Sequence, residues 1–482
     1  MAYNIDDTIC AVSTAPGVGG IAVVRVSGPE AIGIVDRIWR GRALEDCVSH
    51  TAHLGTVFDP DGAGEPLDQA VATLFRGPAS FTGEDVVELA VHGSTFIQQE
   101  LLNLLIRQGA RMAEPGEFTR RAFANGRLDL AQAEAVADVI ASTSAAAHRL
   151  AMSQMRGAFS GKLATLRNQL IEVASLLELE LDFSEEDVEF ADRKHMAELT
   201  QQTLDTVEHL AATFSTGDAI KRGIPVAIIG RPNAGKSSVL NRLLGDDRAI
   251  VSPIPGTTRD TIEDTATIKG TLYRFIDTAG LRHTSDIVES LGIDRTWQKA
   301  SQASMIIWVV DAAEDVDNEE LHEFLSMLTA EAPQATALLV LMNKSDVVDE
   351  ERMKASENKI MTAISACGAN MHMACMRFSA KHDNVASLNE QIAALSAKND
   401  GATGDMVMVT NVRHYEALIN AIEPLKRVLA SLSPILSQAY ALPLDLVAQD
   451  IREAIHHLST ITGEISTSDL LQTIFSRFCI GK

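Results

Sequence analysis

Pro225-Val-Ala-Ile-Ile-Gly230-Arg-Pro-Asn-Ala-Gly235-Lys236-Ser237 joins a short apolar strand to a G-x-x-x-x-G-K-S loop. Val239, Leu240, Leu243 and Leu244 follow at helical spacing. Strand, glycine loop and helix in that order build a phosphate site. The glycines let backbone N–H groups close around phosphate oxygens, and the helix aims its N-terminus at them. Asn233, Ala234, Gly235, Lys236, Ser237 and Ser238 are then the phosphate-lining residues. Lys236 is expected to neutralise β/γ charge as a catalytic group, and Ser237 to ligate Mg²⁺.

The base is specified further along. Asn343-Lys344-Ser345-Asp346 follows an apolar run at 337–342. A carboxylate there can accept both N1–H and N2–H of guanine, a pair that adenine does not offer, so GTP is preferred over ATP. Between the two motifs, Asp277-Thr278-Ala279-Gly280 ends another strand, where a carboxylate can hold the Mg²⁺ shell and a glycine N–H can sense the γ-phosphate. Pro255-Gly256-Thr257-Thr258-Arg259 lies in the place of a first switch, with Thr258 as a second Mg²⁺ ligand. Ser379-Ala380-Lys381 completes the set near the base. This order is that of the translation-factor-like GTPases.

A Ras-like enzyme places glutamine after the DTAG glycine to orient water. Here the residue is Leu281, which can neither accept nor donate. Another group must position the nucleophile and offset charge. Asn233, with Ser252 and the 252–257 loop that carries Ile254 and Thr257, is a candidate K⁺ site. Glu289 is the candidate to orient water, although as a bare sequence position it also suits a solvated helix.

The rest of the chain sets the architecture. Its 482 residues are enough for about three domains. Residues 1–126 alternate short β-like runs (21–26, 71–75, 85–91) with glycine turns, an α+β pattern. Leu163, Leu166, Leu170, Val173, Leu177 and Leu181 then recur at threes and fours, and the spacing returns at Leu418, Ile422, Leu425, Leu429 and at Leu444, Val447, Ile451, Ile455, Leu458. Pro424 and Pro443 are expected to kink or stop those helices. The expected fold is therefore multidomain. An α+β N-terminal domain (1–126) precedes a helical domain in two parts (127–222 and 399–482), and a Ras-like α/β P-loop domain (223–398) is inserted between the parts.

Composition narrows the class. A net charge of −24 argues against a protein that coats nucleic acid. A local patch remains possible, because five arginines (107, 111, 120, 121, 127) outnumber two glutamates (114, 117) in one stretch, whether as a nucleic-acid contact or a solvated basic face. Eight acidic residues in 178–192 suggest a solvated helix end and loop. The five cysteines (10, 47, 367, 375, 479) form no C-x-x-C pair, which suggests neither a disulfide framework nor a zinc site. Apolar runs are too short to span a bilayer, and the first ten residues resemble no targeting peptide. A reduced, cytoplasmic enzyme or switch is expected.

Four further stretches narrow the family. They are Phe81-Thr-Gly-Glu-Asp-Val-Val-Glu-Leu-Ala-Val-His-Gly93, Pro115-Gly-Glu-Phe118, Leu128-Asp-Leu-Ala-Gln-Ala-Glu-Ala135 and Thr462-Gly-Glu-Ile-Ser-Thr-Ser-Asp-Leu-Leu471, the last leading to a tail Phe478-Cys-Ile-Gly-Lys482. With the inserted nucleotide domain, the chain resembles the MnmE (TrmE) family of tRNA-modification GTPases within the TrmE–Era–EngA-like superfamily, over essentially its whole length.

That resemblance implies a tetrahydrofolate one-carbon derivative (5-formyl or 5,10-methylene) bound by Arg25, Glu88, Arg127 and Lys482, with Arg127 standing where other members can carry lysine. It implies homodimers through the N-terminal domain, K⁺ stimulation with Ser252 where threonine is common, and Glu289 as the water-orienting group. It further implies a heterotetramer with an FAD-dependent MnmG (GidA) partner, FAD being on that partner only. The joint product is a carboxymethylaminomethyl or aminomethyl group at C5 of the wobble uridine of certain tRNAs, with glycine or ammonium as the amine. Cys479 is then either a small buried residue or a thiol near the one-carbon site. The competing expectation is an Era-like regulatory GTPase in ribosome assembly, which explains the nucleotide motifs but not Arg25, Glu88 or the tail.

Overall fold

The structure, a computed structural model, describes residues 7–62, 64–182, 193–245, 264–276, 300–315, 317–332, 335–366, 371–397, 407–432, 444–466, 468–476, 478 and 480–481. The chain forms two compact units. One comprises Met1–Ala137, Gln154–Asp205 and Ala417–Lys482; the other comprises Asp138–Ser153 and Thr206–Glu416.

The first unit holds a seven-stranded sheet in the order β3-β4-β5-β6-β2-β1-β7. Its strands are β1 (Ile9–Val12), β2 (Gly19–Ser27), β3 (Trp39–Arg40), β4 (Thr51–Phe58), β5 (Pro66–Phe75), β6 (Val86–Gly93) and β7 (Arg111–Met112). All neighbours are antiparallel except β1 and β7. Alternation along the strands buries one face: Val24, Val26, Ala70, Ala72, Leu74, Val87, Leu89 and Val91 join a core with Leu101, Leu104 and Leu105 of the helix Thr95–Arg107. Cys10 is fully buried there, and burial pushes its thiol up to about 12, so it stays protonated.

Helical pieces complete this unit. Leu163, Leu166, Leu170, Val173 and Leu177 of the helix Ala158–Asp182 are all buried, as the leucine stripe requires. The helix Leu444–Thr462 packs against it, burying Val447, Ile451 and Leu458. The two parts of the helical pattern therefore share one packing layer. Pro424 does not stop its helix: it lies inside the helix Val412–Leu432. An interior proline costs about 3 kcal/mol, but Ala421, Leu425 and Val428 on the same helix are fully buried and offset that cost. Pro443 lies outside the described residues.

The second unit holds a six-stranded sheet in the order β13-β12-β11-β8-β10-β9. The strands are β8 (Ile224–Ile229), β9 (Asp264–Ile268), β10 (Thr271–Ile276), β11 (Met305–Asp311), β12 (Ala337–Asn343) and β13 (His372–Arg377). Only the β9–β10 pair is antiparallel. Every residue of β11 and β12 is buried, as expected of parallel strands covered on both faces. One face packs on Val239, Leu240, Leu243 and Leu244 of the helix Lys236–Gly245 and on Leu388, Ile392 and Leu395 of Val385–Ala397. The other packs on Leu321, Leu325 and Leu328 of Asn318–Glu331 and on Met353, Ile360 and Ile364 of Glu350–Ala366. The multidomain expectation holds: an α+β sheet, helical pieces and an inserted P-loop α/β fold.

Candidate functional site: a nucleotide pocket and an N-terminal arginine–glutamate pair

The 230–237 loop leaves the C-terminal end of β8, the edge at which open α/β sheets bind ligands. Its glycines are required by space as well as by backbone angle. Gly230 has φ +149° and Gly235 has φ +98°. A Cβ on Gly230 would lie 2.2 Å from the Val309 carbonyl oxygen, and one on Gly235 would lie 2.1 Å from Asn343 Nδ2. Asn233 takes the left-handed conformation at φ 62°, one of few non-glycine residues here to do so. Lys236 Nζ curls back to donate to the carbonyls of Gly230 (2.8 Å) and Arg231 (2.7 Å), which holds the ammonium over the loop. Burial pushes its pKa down from the ordinary lysine value.

Three motifs meet at one side chain. Asn343 is almost fully buried at the end of β12. Its Nδ2 donates to the Ala234 carbonyl (2.8 Å), and its Oδ1 accepts the Ala380 N–H (3.0 Å). Asp346 accepts the Ser379 hydroxyl at 2.6 Å, a bond that holds its carboxyl below the usual range and keeps it ionised. The Ser379 N–H in turn donates to Asp383 (2.7 Å). Lys344, at φ 61°, reaches Asp311 Oδ2 at 2.5 Å. The sequence reading did not single out Asp311. Its signal was a lone carboxylate ending an apolar strand, on the same sheet edge as the phosphate loop.

The structure thus brings together Asn233, Ala234, Gly235, Lys236, Ser237, Ser238, Asn343, Lys344, Asp346, Ser379, Ala380 and Lys381. Ser252, Ile254, Thr257, Thr258, Asp277, Thr278, Ala279, Gly280 and Glu289 lie outside the described residues, as do Cys479 and Lys482.

In the N-terminal sheet, Arg25 on β2 stands directly opposite Glu88 on β6. Arg25 donates to Glu88 through Nε (2.9 Å) and Nη2 (2.8 Å). Two rings flank the guanidinium: Phe81 at 5.2 Å and Phe118 at 5.5 Å from their centroids. Two of the sequence motifs therefore converge on Arg25. The chain end comes to the same region, where the Ser13 hydroxyl donates to the Gly481 carbonyl (3.1 Å). A Cβ on Gly481 would overlap the Val12 carbonyl. Arg127 is exposed beside Gly83 of the 81–84 turn, its side-chain carbon 3.2 Å from where a Gly83 Cβ would be.

The arginines at 107–121 do not form the basic face that the sequence suggested. Arg107 pairs with Asp59 (2.8 Å) and Arg120 with Glu114 (3.1 Å). Arg111 pairs with Asp7 and Glu117, both at 2.6 Å. Arg121 is buried between Asp7 (2.5 Å), Glu84 (3.1 Å) and Glu117 (3.2 Å). Glu84 also accepts the Ser27 hydroxyl at 2.6 Å, so this network pins the 81–84 turn beside Arg25. Burial pushes the Asp7 and Glu117 carboxyls up, but their arginine partners outweigh it and hold both below the ordinary range.

A phosphate loop at the carboxyl edge of a parallel sheet, tied by one asparagine to a guanine-type base motif, defines a P-loop GTPase, an enzyme that binds and hydrolyses GTP. Two family models match the chain: MnmE helical domain over residues 130–479, and GTP-binding protein TrmE N-terminus over residues 8–127. A tRNA modification GTPase MnmE of Parabacteroides distasonis is 48% identical over 98% of this chain and 100% of its own length. The chain belongs to the MnmE (TrmE) family of tRNA modification GTPases. A Bacteroides fragilis relative of the same description is 47% identical over 99% of both chains. Among solved structures, a GTP-binding protein of Sulfolobus solfataricus in complex with GDP aligns with TM-score 0.28 and 19% identity, covering 49% of this chain and 68% of that one. No described helix is long and apolar enough to cross a membrane.

Proposed function

We propose that this chain is the GTP-hydrolysing component of a cytoplasmic system that modifies C5 of the wobble uridine of certain tRNAs, acting with an FAD-dependent MnmG-type partner. A nucleotide pocket alone would serve any GTPase. The observation that carries the reading is the Arg25–Glu88 pair, framed by Phe81 and Phe118 and reached by the chain end. A ribosome-assembly switch gives that constellation no purpose.

The N-terminal residues suit a tetrahydrofolate derivative. Glu88 spends Oε1 on Arg25, leaving its other oxygen as an acceptor for a pterin amino group. The rings of Phe81 and Phe118 offer apolar surface to a flat heterocycle. Arg127, and Lys482 at the chain end, supply positive charge for a glutamate tail. When bound, such a cofactor supplies the one-carbon unit, with glycine or ammonium as the amine.

In the nucleotide pocket, Lys236 and the loop N–H groups hold the phosphates, and Asp346 reads the base. Ser237 and Thr258 would hold Mg²⁺, with Asn233, Ser252, Ile254 and Thr257 as the set for K⁺, and Glu289 orients water. Hydrolysis drives a nucleotide-linked switch rather than bond formation at the uridine. The domain division is 1–126, 127–222, 223–398 and 399–482, with the two helical parts forming one domain.

Dimerisation through the N-terminal domain is supported by an exposed apolar row on its sheet. Leu54 stands opposite Val71, and Val71 opposite Ala90, in one row across β4, β5 and β6. Leu54 and the nearby Ile21 are about two-thirds exposed, at 66% and 68%. An apolar row of this kind marks an interaction surface. A heterotetramer with the FAD partner then places two GTPase chains beside two partner chains.

The decisive experiment is mass spectrometry of tRNA nucleosides from cells with and without this gene. Loss of C5-aminomethyl uridines on deletion, restored by the intact gene but not by a copy lacking 478–482, is the expected result. Unchanged nucleosides would overturn the proposal.

A further inference from the structure

Far from the nucleotide loop in sequence, the first unit carries a half-open cavity of about 310 Å³. It lies between the first turns of the helix Ala158–Asp182 and the last turn of the helix Leu444–Thr462. Its volume is at the small end of the range for small-molecule pockets. Leu163, Ala164 and Leu458 give it an apolar wall. Most of the other lining residues are polar, and two donors among them are unused. Arg167 Nε and Ser160 Oγ are both shielded from solvent and have no hydrogen-bond partner in the structure. Unsatisfied buried donors are costly unless a ligand or water supplies the acceptor.

The acceptors lie among the same lining residues. Glu464 pairs with Arg167 Nη1 through Oε2. Asp129 accepts the Gln132 N–H through Oδ1, capping the helix that begins at Leu130. Each carboxylate has a second oxygen. One guanidinium and two carboxylates leave the lining one negative charge in excess, which disfavours a simple anion. The unused Nε–H and hydroxyl nevertheless call for acceptor oxygens, which a carboxylate supplies as a pair. A ligand that carries both an ammonium and a carboxylate meets both demands.

We propose that this cavity is a binding site for a small zwitterion, an α-amino acid. Its carboxylate is held by Arg167 Nε and Ser160, its ammonium lies toward Asp129 and Glu464, and a short side chain faces Leu163 and Leu458. The assignment rests on the cavity's own lining and does not depend on the modification reading.

The test is calorimetric titration of the full chain with glycine, L-alanine and L-serine, each up to about 10 mM, with acetate and methylamine as the two half-ligands. At least one amino acid should bind saturably and at least tenfold more tightly than either half. Arg167→Lys keeps a cation for Glu464 but lacks the Nε–H, and it should weaken binding about tenfold, or 1.4 kcal/mol. Asp129→Asn keeps a helix cap and removes the charge, and it should do the same. GTP hydrolysis should be unchanged in both variants. No saturable binding, acetate binding as tightly as the amino acids, or unaltered affinity in both variants would each overturn the proposal.

Discussion

Asn343 Nδ2 and the Ala234 carbonyl, 109 residues apart in sequence, lie 2.8 Å apart at the centre of the nucleotide pocket. Through this bond the strand that carries the base motif holds the shape of the phosphate loop. The same side chain accepts the Ala380 N–H, so phosphate loop, base motif and the third base-side loop share one anchor.

Asn343→Ala should therefore weaken binding of every guanine nucleotide, whatever its number of phosphates. It leaves a buried carbonyl and a buried N–H without partners, at about 1–3 kcal/mol each. Titration with fluorescent GDP and GTP should show losses of tenfold or more in both, with a lower melting temperature. Loss for GTP alone would contradict a shared anchor.

Asp346→Asn should change which base is accepted. Guanine offers two donors to the ionised carboxylate, whereas the amide can donate one hydrogen bond to a carbonyl. Xanthosine triphosphate, which carries a carbonyl at that position, should gain relative to GTP by at least tenfold in competition binding. An unchanged ratio would remove Asp346 from base recognition.

Lys236→Ala should abolish tight GTP binding, because its ammonium is the cation held over the loop carbonyls. Glu289→Ala should slow hydrolysis at least tenfold and spare affinity, as measured by phosphate release and nucleotide titration on one preparation. Replacing K⁺ by Na⁺ should slow hydrolysis of the unaltered chain; equal rates would dismiss the cation site at Asn233.

Acid should destabilise the N-terminal sheet through Asp7 and Glu117. Both carboxyls are held below their ordinary values of 3.8 and 4.5 in the folded state. Their contribution is complete above those values and is lost as pH falls through the lower folded ones. Melting temperature should drop across that window. Arg121→Met, which removes a buried partner of both, should cost about 3 kcal/mol at neutral pH and flatten the drop. Melting curves against pH check both effects.

The phosphate loop was legible because its demands are local. Gly230 and Gly235 answer to backbone angle and to the close approach of neighbouring atoms, and only glycine meets both. The leucine stripe at 163–177 was legible because one helix fixes which side chains share a face. The strands at 21–26 and 71–75 likewise appear within β2 and β5, and that at 85–91 overlaps β6 from Val86 on, since alternation is a property of neighbours in sequence.

Pairings over distance were not legible. The arginines at 107–121 read as a basic patch, yet Arg111 and Arg121 are matched by Asp7, 104 and 114 residues away. Charge counted along a segment cannot find such partners, because the sheet brings them in from elsewhere. At Pro424 local geometry argues for a kink or a stop, and the helix runs on because tertiary burial on either side outweighs a stop. Asp311 beside Lys344 and the two rings around Arg25 were hidden in the same way.

The sequence by itself thus determined the nucleotide class, the order of its motifs and the periodicity of each element, all of which depend on residues close along the chain. Tertiary structure decided which charges are neutralised, which aromatic rings enclose Arg25 and which donors face the cavity at Arg167. Those depend on the packing of segments that are remote in sequence, where Coulomb attraction and burial act through space.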